Sequence, residues 1–329
     1  MTEVRDAFRR ARIHAVRHME ECELAGLRWG ETSITEILTS RAARAVTVIP
    51  FTQPAEALSG ADWVWWWVDG SGSYGMLVQA KRVTVSQQSW HFDFSYPHGT
   101  GSQRSRLMSV AAHLGLMPVY ALYLGTGNYR RWEVCSNVHQ RGRCLQCVKR
   151  SVSLMPALIA NDLIVSDSET TYEQSVAMED LWSPTTAGAL LSPALKKQLA
   201  PDLASFLSSR QDGTRAVVRS MMDRVLRVRA GAFGAAAPAA SKRLHDGDHD
   251  RLGPVFRELP DDAGHWGLRY FEQILDPLTQ APPSYVVDIM SGLFDPSHLP
   301  PGMTESVAGI IVVPLAEPRP RRRPRRPVR

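Results

Sequence analysis

Asp62, Gln79 and Lys81 are polar residues in two otherwise apolar segments, and their types and spacing could support hydrolytic chemistry. The segments, "ADWVWWWVD" and "GMLVQAKR", are predicted to be strands that are joined by a Gly/Ser-rich turn at 69–75. Side chains alternate between the two faces of a strand, so Gln79 and Lys81 share one face.

The register of this hairpin decides whether the acid joins the other two residues. A turn centred between Ser71 and Gly72 would place Asp62 opposite Lys81, and directly opposed residues project to the same side of a sheet. A one-residue slip would separate them. We adopt the centred turn as a hypothesis, in which Asp62, Gln79 and Lys81 converge.

This group has the composition of a magnesium site. Mg²⁺ prefers oxygen ligands, and Asp62 offers a carboxylate, Gln79 an amide oxygen and Ala80 a backbone carbonyl. Lys81 could orient or deprotonate the attacking water and stabilise developing charge on a phosphate. The predicted chemistry is therefore metal-assisted hydrolysis with Mg²⁺ or Mn²⁺.

The pattern D-x16-Q-x-K on a hairpin, after a helix and a strand and before a helix and a strand, resembles the PD-(D/E)XK nuclease superfamily. It is most similar to the Mrr-like branch, in which Gln replaces the acid of E-x-K. The run "GETSITEIL…FTQPAEALSGADWVWWW…LVQAKR" also resembles an uncharacterised bacterial family placed near those nucleases. The resemblance covers residues 30–125 and implies a metal-dependent endonuclease that acts on DNA, with a role in defence against foreign DNA.

Nucleases of this kind usually add a glutamate from the first core helix, and three candidates are present. Glu31 lies at the edge of the predicted buried face if the helix begins near Gly30. Glu36 faces away from that face and is explained by a capping box with Ser33. Glu56 lies in a predicted loop. Glu31 is the preferred third ligand.

The four tryptophans of the first strand divide between its faces. Trp63, Trp65 and Trp67 are predicted to point away from Asp62 and to pack beneath a helix. Trp66 shares the face of the acid and could border the site, although core packing is the simpler interpretation.

Two other motifs offer alternatives. "GSGSYG" at 70–75 matches G-x-G-x-x-G, but a dinucleotide site needs a helix after the glycines and here a strand follows, so we interpret it as a turn. The second motif combines Cys135, His139, Cys144 and Cys147. They could hold a structural zinc, but their irregular spacing favours ordinary buried thiols.

The predicted fold class is α/β, with a restriction-endonuclease-like core of order α-β-β-β-α-β and a mostly helical C-terminal region. Helices are expected over about 2–24, 31–44 and 102–114, strands over 45–52 and 117–124, and a last strand in "AGIIVVPL". The predicted divisions are a nuclease core with its N-terminal helix (1–125), a mostly helical extension (126–229), a flexible linker or loop (230–254), a C-terminal segment (255–314) and a disordered Arg/Pro-rich tail (315–329).

The net charge of +5 is concentrated at the C-terminus. Residues 318–329 contain seven arginines and no acid, so the remaining chain has a net charge of −2. This tail could attract nucleic acid, or it could be a solvated segment without a partner. No apolar run predicts a membrane span, and four cysteines in 329 residues favour a reducing cytoplasm.

The sequence thus predicts a cytoplasmic, Mg²⁺-dependent endonuclease with nucleic acid as its partner. Two alternatives stay open. One is a nucleic-acid-binding module on a nuclease fold that no longer cleaves, and the other is a non-catalytic interaction protein whose arginine tail recruits an acidic partner.

Overall fold

The computed structural model describes ten stretches of the chain. These are residues 2–51, 63–86, 89–94, 97–98, 101–125, 144–159, 171–172, 174–183, 201–225 and 270–315.

Helices occur in every long stretch except the one that holds the Trp-rich hairpin. They are α1 (Thr2–Leu24), α2 (Glu31–Ala42), α3 (Gln103–Leu114), α4 (Leu145–Lys149), α5 (Pro201–Ser208), α6 (213–225), α7 (Tyr270–Leu275), α8 (Ser284–Ser291) and α9 (Met303–Ser306), with 3-10 turns at Met178–Asp180 and Pro296–His298. None of the helices in the described stretches is both long and apolar enough to cross a membrane.

Most of the strands belong to one sheet. They are β1 (Thr47–Pro50), β2 (Trp63–Asp69), β3 (Gly72–Ser86), β4 (Ser89–Phe92), β5 (Pro97–His98), β6 (Gly101–Ser102), β7 (Met117–Tyr123), β8 (Val152–Pro156), β9 (Val176–Ala177), β10 (Leu278–Thr279) and β11 (Gly309–Pro314).

Within the described residues the main sheet is mixed and has nine strands. Its principal order is β1-β11-β2-β3-β7-β8-β9, while β4 and β10 also pair with β3. The β11–β2 and β3–β7 pairs are parallel and the others are antiparallel. The protein is therefore a mixed α/β fold, as predicted. The predicted order α-β-β-β-α-β is present as α2, β1, β2, β3, α3 and β7, with β4–β6 inserted before α3.

Helix α1 covers one face of the sheet through an aromatic cluster. Phe8 of α1 stacks on Trp65 with ring centroids 5.9 Å apart, and Trp67 lies 5.5 Å from Trp182. Trp65 and Trp67 are buried, whereas Trp63 is only half-buried. The prediction that Trp65 and Trp67 form core beneath a helix is therefore confirmed.

The β2–β3 turn is tighter than predicted. Asp69 pairs with Gly72, and only two residues connect the strands. The Asp69 carboxylate accepts hydrogen bonds from the Ser71 N–H at 2.8 Å and from the Thr214 N–H at 2.6 Å, so it stabilises both the turn and the start of α6. The turn predicted between Ser71 and Gly72 is therefore wrong.

The hairpin register consequently differs from the prediction by two residues. Trp63 pairs with Val78, where the centred turn would have placed Ala80. A shift of two residues preserves the alternation of faces, because the side-chain period of a strand is two. Gln79 and Lys81 therefore keep their predicted common face, and both lie beyond the last β3 residue that pairs with β2.

The start of α2 also differs from the prediction. The helix begins at Glu31, and its N-cap Gly30 has an extended backbone. Ser33 lies within the first turn, so it cannot act as the N-cap of a capping box with Glu36, and that prediction is wrong.

The C-terminal strand is integral to the sheet. As predicted, "AGIIVVPL" contains a strand, which is β11. It lies between β1 and β2 and is parallel to β2, with Ile311 opposite Trp65. Residues from the predicted C-terminal segment and from the predicted core therefore share one sheet. The described part of 126–229 contributes β8 and β9 as well as helices.

Candidate active site

Gln79 and Lys81 lie in the middle of β3, just beyond its pairing with β2, on the face that α3 covers. Their exposed fractions are 3% for Gln79 and 5% for Lys81. The Lys81 Nζ donates a 2.6 Å hydrogen bond to Oε1 of Gln103, the first residue of α3. An almost fully buried ammonium group is thus held in a defined direction by a neutral amide.

Glu31, the first residue of α2, reaches the same part of β3. Its Oε1 accepts a 2.8 Å hydrogen bond from the backbone N–H of Arg82, four residues beyond the last β3 residue paired with β2. The Arg82 side chain donates to the backbone carbonyl of Trp29, which precedes α2, at 3.3 Å. The start of α2 is therefore attached to β3 at two points.

Burial dominates the electrostatics of Glu31. Desolvation raises the pKa of this carboxyl above its usual value, while the Arg82 N–H and the charges of Lys81 and Arg82 oppose the shift. The charge of Asp93 adds to the increase. A glutamate whose pKa is raised at a partly desolvated position near a lysine has the character of a functional group.

Two buried polar atoms lie side by side without partners. Within the described part of the chain, neither the Gln79 Oε1 nor the Tyr120 hydroxyl makes a hydrogen bond. Gln79 pairs directly with Tyr120 in the β3–β7 register, so both side chains project to the same face. Buried polar groups usually have partners, and two exceptions on neighbouring strands mark a candidate position for a ligand.

Tyr120 was not identified from the sequence. Its ring packs against Phe94 with centroids 4.6 Å apart, and burial raises the pKa of its hydroxyl, so that it stays protonated. In the sequence Tyr120 is one residue of the largely apolar segment "MPVYALYL". Only the β3–β7 pairing shows that it lies beside Gln79.

The predicted site residues have different outcomes. Gln79 and Lys81 lie on the same part of β3, and Glu31 of α2 binds the β3 backbone next to them at Arg82. Glu36 is exposed on α2 and lines a separate cavity. Asp62 and Glu56 lie outside the described residues, so the proposed convergence of Asp62 with the others stays a prediction.

The oxygen donors fit a hard divalent cation. Glu31 supplies a carboxylate, and the unpartnered Gln79 Oε1 is a neutral oxygen of the kind that Mg²⁺ accepts alongside carboxylates and water. Among the residues that the structure describes, no group of three or more His, Cys, Asp and Glu side chains is arranged around a common point. A third protein ligand could be the predicted Asp62 or Glu56, Asp93, whose charge acts on Glu31, or a backbone carbonyl.

Trp66 is a core residue. It is 4% exposed, and its Nε1 donates a 3.0 Å hydrogen bond to the hydroxyl of Tyr285 in α8. The rings of these two residues meet edge to face. Trp66 shares a face with Gln79, as predicted, but it joins β2 to α8 and presents no free ring surface to a ligand.

The cysteine group is described only in part. Cys144 is the N-cap of α4, and its Sγ accepts from the backbone N–H of the buried Cys147 at 3.4 Å. Cys135 and His139 lie outside the described residues, as do the linker predicted at 230–254 and the arginine tail at 318–329. Zinc binding by this group stays an untested alternative.

Comparisons with known proteins identify the family and no function. No curated protein and no solved structure matches the chain. One family model matches residues 4–290, which include the candidate site and most of the described elements. The chain therefore belongs to the family that this model describes, a family of unknown function (DUF6615).

Proposed function

We propose that this protein is a metal-dependent endonuclease that hydrolyses phosphodiester bonds in DNA, acts in the cytoplasm and contributes to defence against foreign DNA. The D-x16-Q-x-K pattern and its resemblance to Mrr-like PD-(D/E)XK nucleases support the reaction class. The defence role rests on that resemblance alone.

One observation carries the proposal. A half-buried carboxyl with a raised pKa, an unpartnered buried amide oxygen and an oriented ammonium group meet at one stretch of β3. An unpartnered acceptor and a desolvated acid each lower the free energy of unfolding. A purely structural role would not explain why the protein keeps both. Binding sites commonly contain such destabilising groups, because function requires them.

The residues divide the chemistry as follows. Glu31, Gln79 and, by prediction, Asp62 would hold Mg²⁺ or Mn²⁺. When bound, the cation polarises a phosphoryl oxygen and lowers the pKa of water. Lys81, which Gln103 orients, would stabilise charge on the phosphate and position the attacking water. Tyr120 keeps its proton and can donate a hydrogen bond to an oxygen in the site.

Nicking of supercoiled plasmid and cleavage of single-stranded DNA in Mg²⁺ or Mn²⁺ test the proposal. Asp62→Asn should abolish metal binding and cleavage. Lys81→Ala should leave both ligands bound but reduce the rate by roughly 10²-fold or more. Gln79→Glu should retain activity, because it restores the commoner acid at that position.

Melting curves serve as the control for folding. Wild-type activity in both Asp62→Asn and Lys81→Ala would end the nuclease proposal. Unfolding of all three variants would indicate a structural polar cluster instead.

A binding module that does not cleave is the second candidate. The neutral Gln79 favours this second candidate, because Glu31 is then the one negatively charged group among Glu31, Gln79 and Lys81. In that case the protein would bind DNA with an affinity that falls steeply with salt concentration, and plasmid would remain intact in every metal tested.

A further inference from the structure

A cavity of about 380 Å³ lies beside the candidate active site. It opens between α2, the end of β1, Trp63 at the start of β2 and the residue that precedes β11. Its volume is in the range of small-molecule sites, which occupy about 300–1,000 Å³.

The cavity is close to Glu31. Thr35 lines it, one helical turn after Glu31, and the Thr35 Oγ1 lies 2.8 Å from the Tyr123 hydroxyl. Tyr123 is in turn the β7 partner of Arg82, whose N–H binds the Glu31 carboxylate. Thr35 therefore connects the cavity to the helical turn that carries Glu31.

The polar wall of the cavity presents hydrogen-bond acceptors. Thr39 Oγ1 donates to the Thr35 carbonyl at 2.9 Å, and Ser40 Oγ donates to the Ile37 carbonyl at 3.2 Å. A hydroxyl has one hydrogen and two lone pairs, so a hydroxyl that donates to its own helix offers only lone pairs to a ligand. These side chains therefore favour a ligand that donates hydrogen bonds.

Glu36 strengthens this selection. It is the one charged residue among the described residues that line the cavity, and it is exposed. A carboxylate disfavours a phosphate at this position and favours amino groups. This wall of the cavity therefore favours a hydrogen-bonding group that is neutral or positive and carries N–H donors.

The opposite wall is apolar and suits a planar ring. Phe51 and Trp63 lie on this side, together with Val48. The Trp63 ring packs so closely against Gly309 that a Cβ at that position would lie 2.9 Å from a ring carbon. Aromatic walls stabilise nucleobases by about 1–3 kcal/mol per base, whatever the base identity.

We propose that this cavity binds a nucleobase with an exocyclic amino group, cytosine in the first instance, from a nucleotide next to the cleaved phosphodiester. The inference rests on the proposed function for the orientation of the strand, but base binding itself does not require cleavage. Thymine offers no exocyclic amine to Glu36, so the cavity should distinguish cytosine from thymine.

Fluorescence anisotropy of labelled oligo(dC) and oligo(dT) on the full-length protein, with EDTA present to prevent cleavage, tests the inference. We expect oligo(dC) to bind about tenfold more tightly, which corresponds to one good base contact. Glu36→Ala should remove the difference. Ala43→Leu, which adds a side chain at the exposed end of the cavity, should weaken both complexes.

Glu3→Ala is the matched control, because it removes the same charge from an exposed position in α1 that does not line the cavity. It should leave the preference intact. Equal affinities for the two oligonucleotides in the wild type, or a preference that survives Glu36→Ala, would overturn the inference, and an acidic wall that serves a basic side chain of a protein partner would then explain the cavity.

The two proposals fail separately. Base-selective binding without plasmid cleavage would support the cavity and refute the nuclease. Plasmid cleavage without a base preference would support the nuclease and refute base binding in the cavity.

Discussion

Replacing Gln79 with methionine should increase the free energy of unfolding of the metal-free protein. Gln79 is 3% exposed, and its Oε1 has no hydrogen-bond partner within the described part of the chain. An unsatisfied buried polar group costs about 1–3 kcal/mol. Methionine has a similar shape and no such acceptor. We expect a gain near the lower end of that range, about 1 kcal/mol, because the amide N–H groups are lost as well.

Gln211 provides a matched control. It is 5% exposed, but its Nε2 donates to the Phe206 carbonyl at 2.8 Å and its Oε1 accepts from the Arg215 Nε at 2.9 Å. Gln211→Met removes two formed hydrogen bonds and leaves a buried carbonyl with fewer donors. We expect it to destabilise the protein by about 1–3 kcal/mol. The same substitution at two buried glutamines should therefore have opposite signs.

Urea denaturation followed by tryptophan fluorescence measures both effects, first in EDTA and then in Mn²⁺. In Mn²⁺ the wild type should gain stability, by about 2.7 kcal/mol at a concentration of one hundred times Kd, and Gln79→Met should gain much less. Equal destabilisation by the two substitutions would show that the Gln79 Oε1 has a protein partner. That result would remove the main structural reason for a metal ligand at this position.

Three further changes test the electrostatics of the site and the packing and charge of the core. Glu31→Gln should stabilise the protein at neutral pH, and the gain should disappear as the pH falls below the usual glutamate pKa, because the raised pKa of Glu31 disfavours its ionised form only in the folded state. Arg12→Ala should cost about 3–5 kcal/mol in urea denaturation, because it leaves Glu179 buried without its 2.9 Å ion-pair partner. Gly75→Ala should cost about 1–3 kcal/mol, since the added methyl would lie 2.8 Å from the Trp66 ring.

Each of these has a direct check. A gain from Glu31→Gln that is independent of pH would mean that the buried charge of Glu31 is not its cause. The double variant Arg12→Met with Glu179→Met should recover most of the stability that Arg12→Ala loses, because both partners become apolar. Thr84 is exposed on the same strand as Gly75, so Thr84→Ala should change stability by less than about 0.5 kcal/mol.

Local patterns in the sequence were sufficient to predict the principal helices and strands. The helices α1, α2 and α3 and the strands β1, β7 and β11 lie within a few residues of their predicted limits. Their signals are local, since an apolar stripe, a capping residue and a glycine stop act over a few positions. Gly26 and Gly115 have φ values of 70° and 64° after α1 and α3, a conformation that glycine adopts without strain.

The sequence also identified Gln79, Lys81 and Glu31 as neighbours. For Gln79 and Lys81 the reason is the period of two along a strand, which survives a register shift of two residues. Glu31 was expected there because the resembled nucleases add a glutamate from the first core helix, and the angle around α2 favoured Glu31 over Glu36. The structure adds the hydrogen bond to the Arg82 N–H.

Only the tertiary structure decided the features that depend on distant residues. The tight β2–β3 turn uses the Asp69 carboxylate, which also binds the Thr214 N–H 145 positions along the chain. β11 lies between β1 and β2, antiparallel to β1 and parallel to β2, by pairing across more than half of the chain. No local pattern specifies such contacts, because their stability comes from surfaces that meet only when the sheet is complete. For the same reason Tyr120 became a site residue only when β7 placed it beside Gln79.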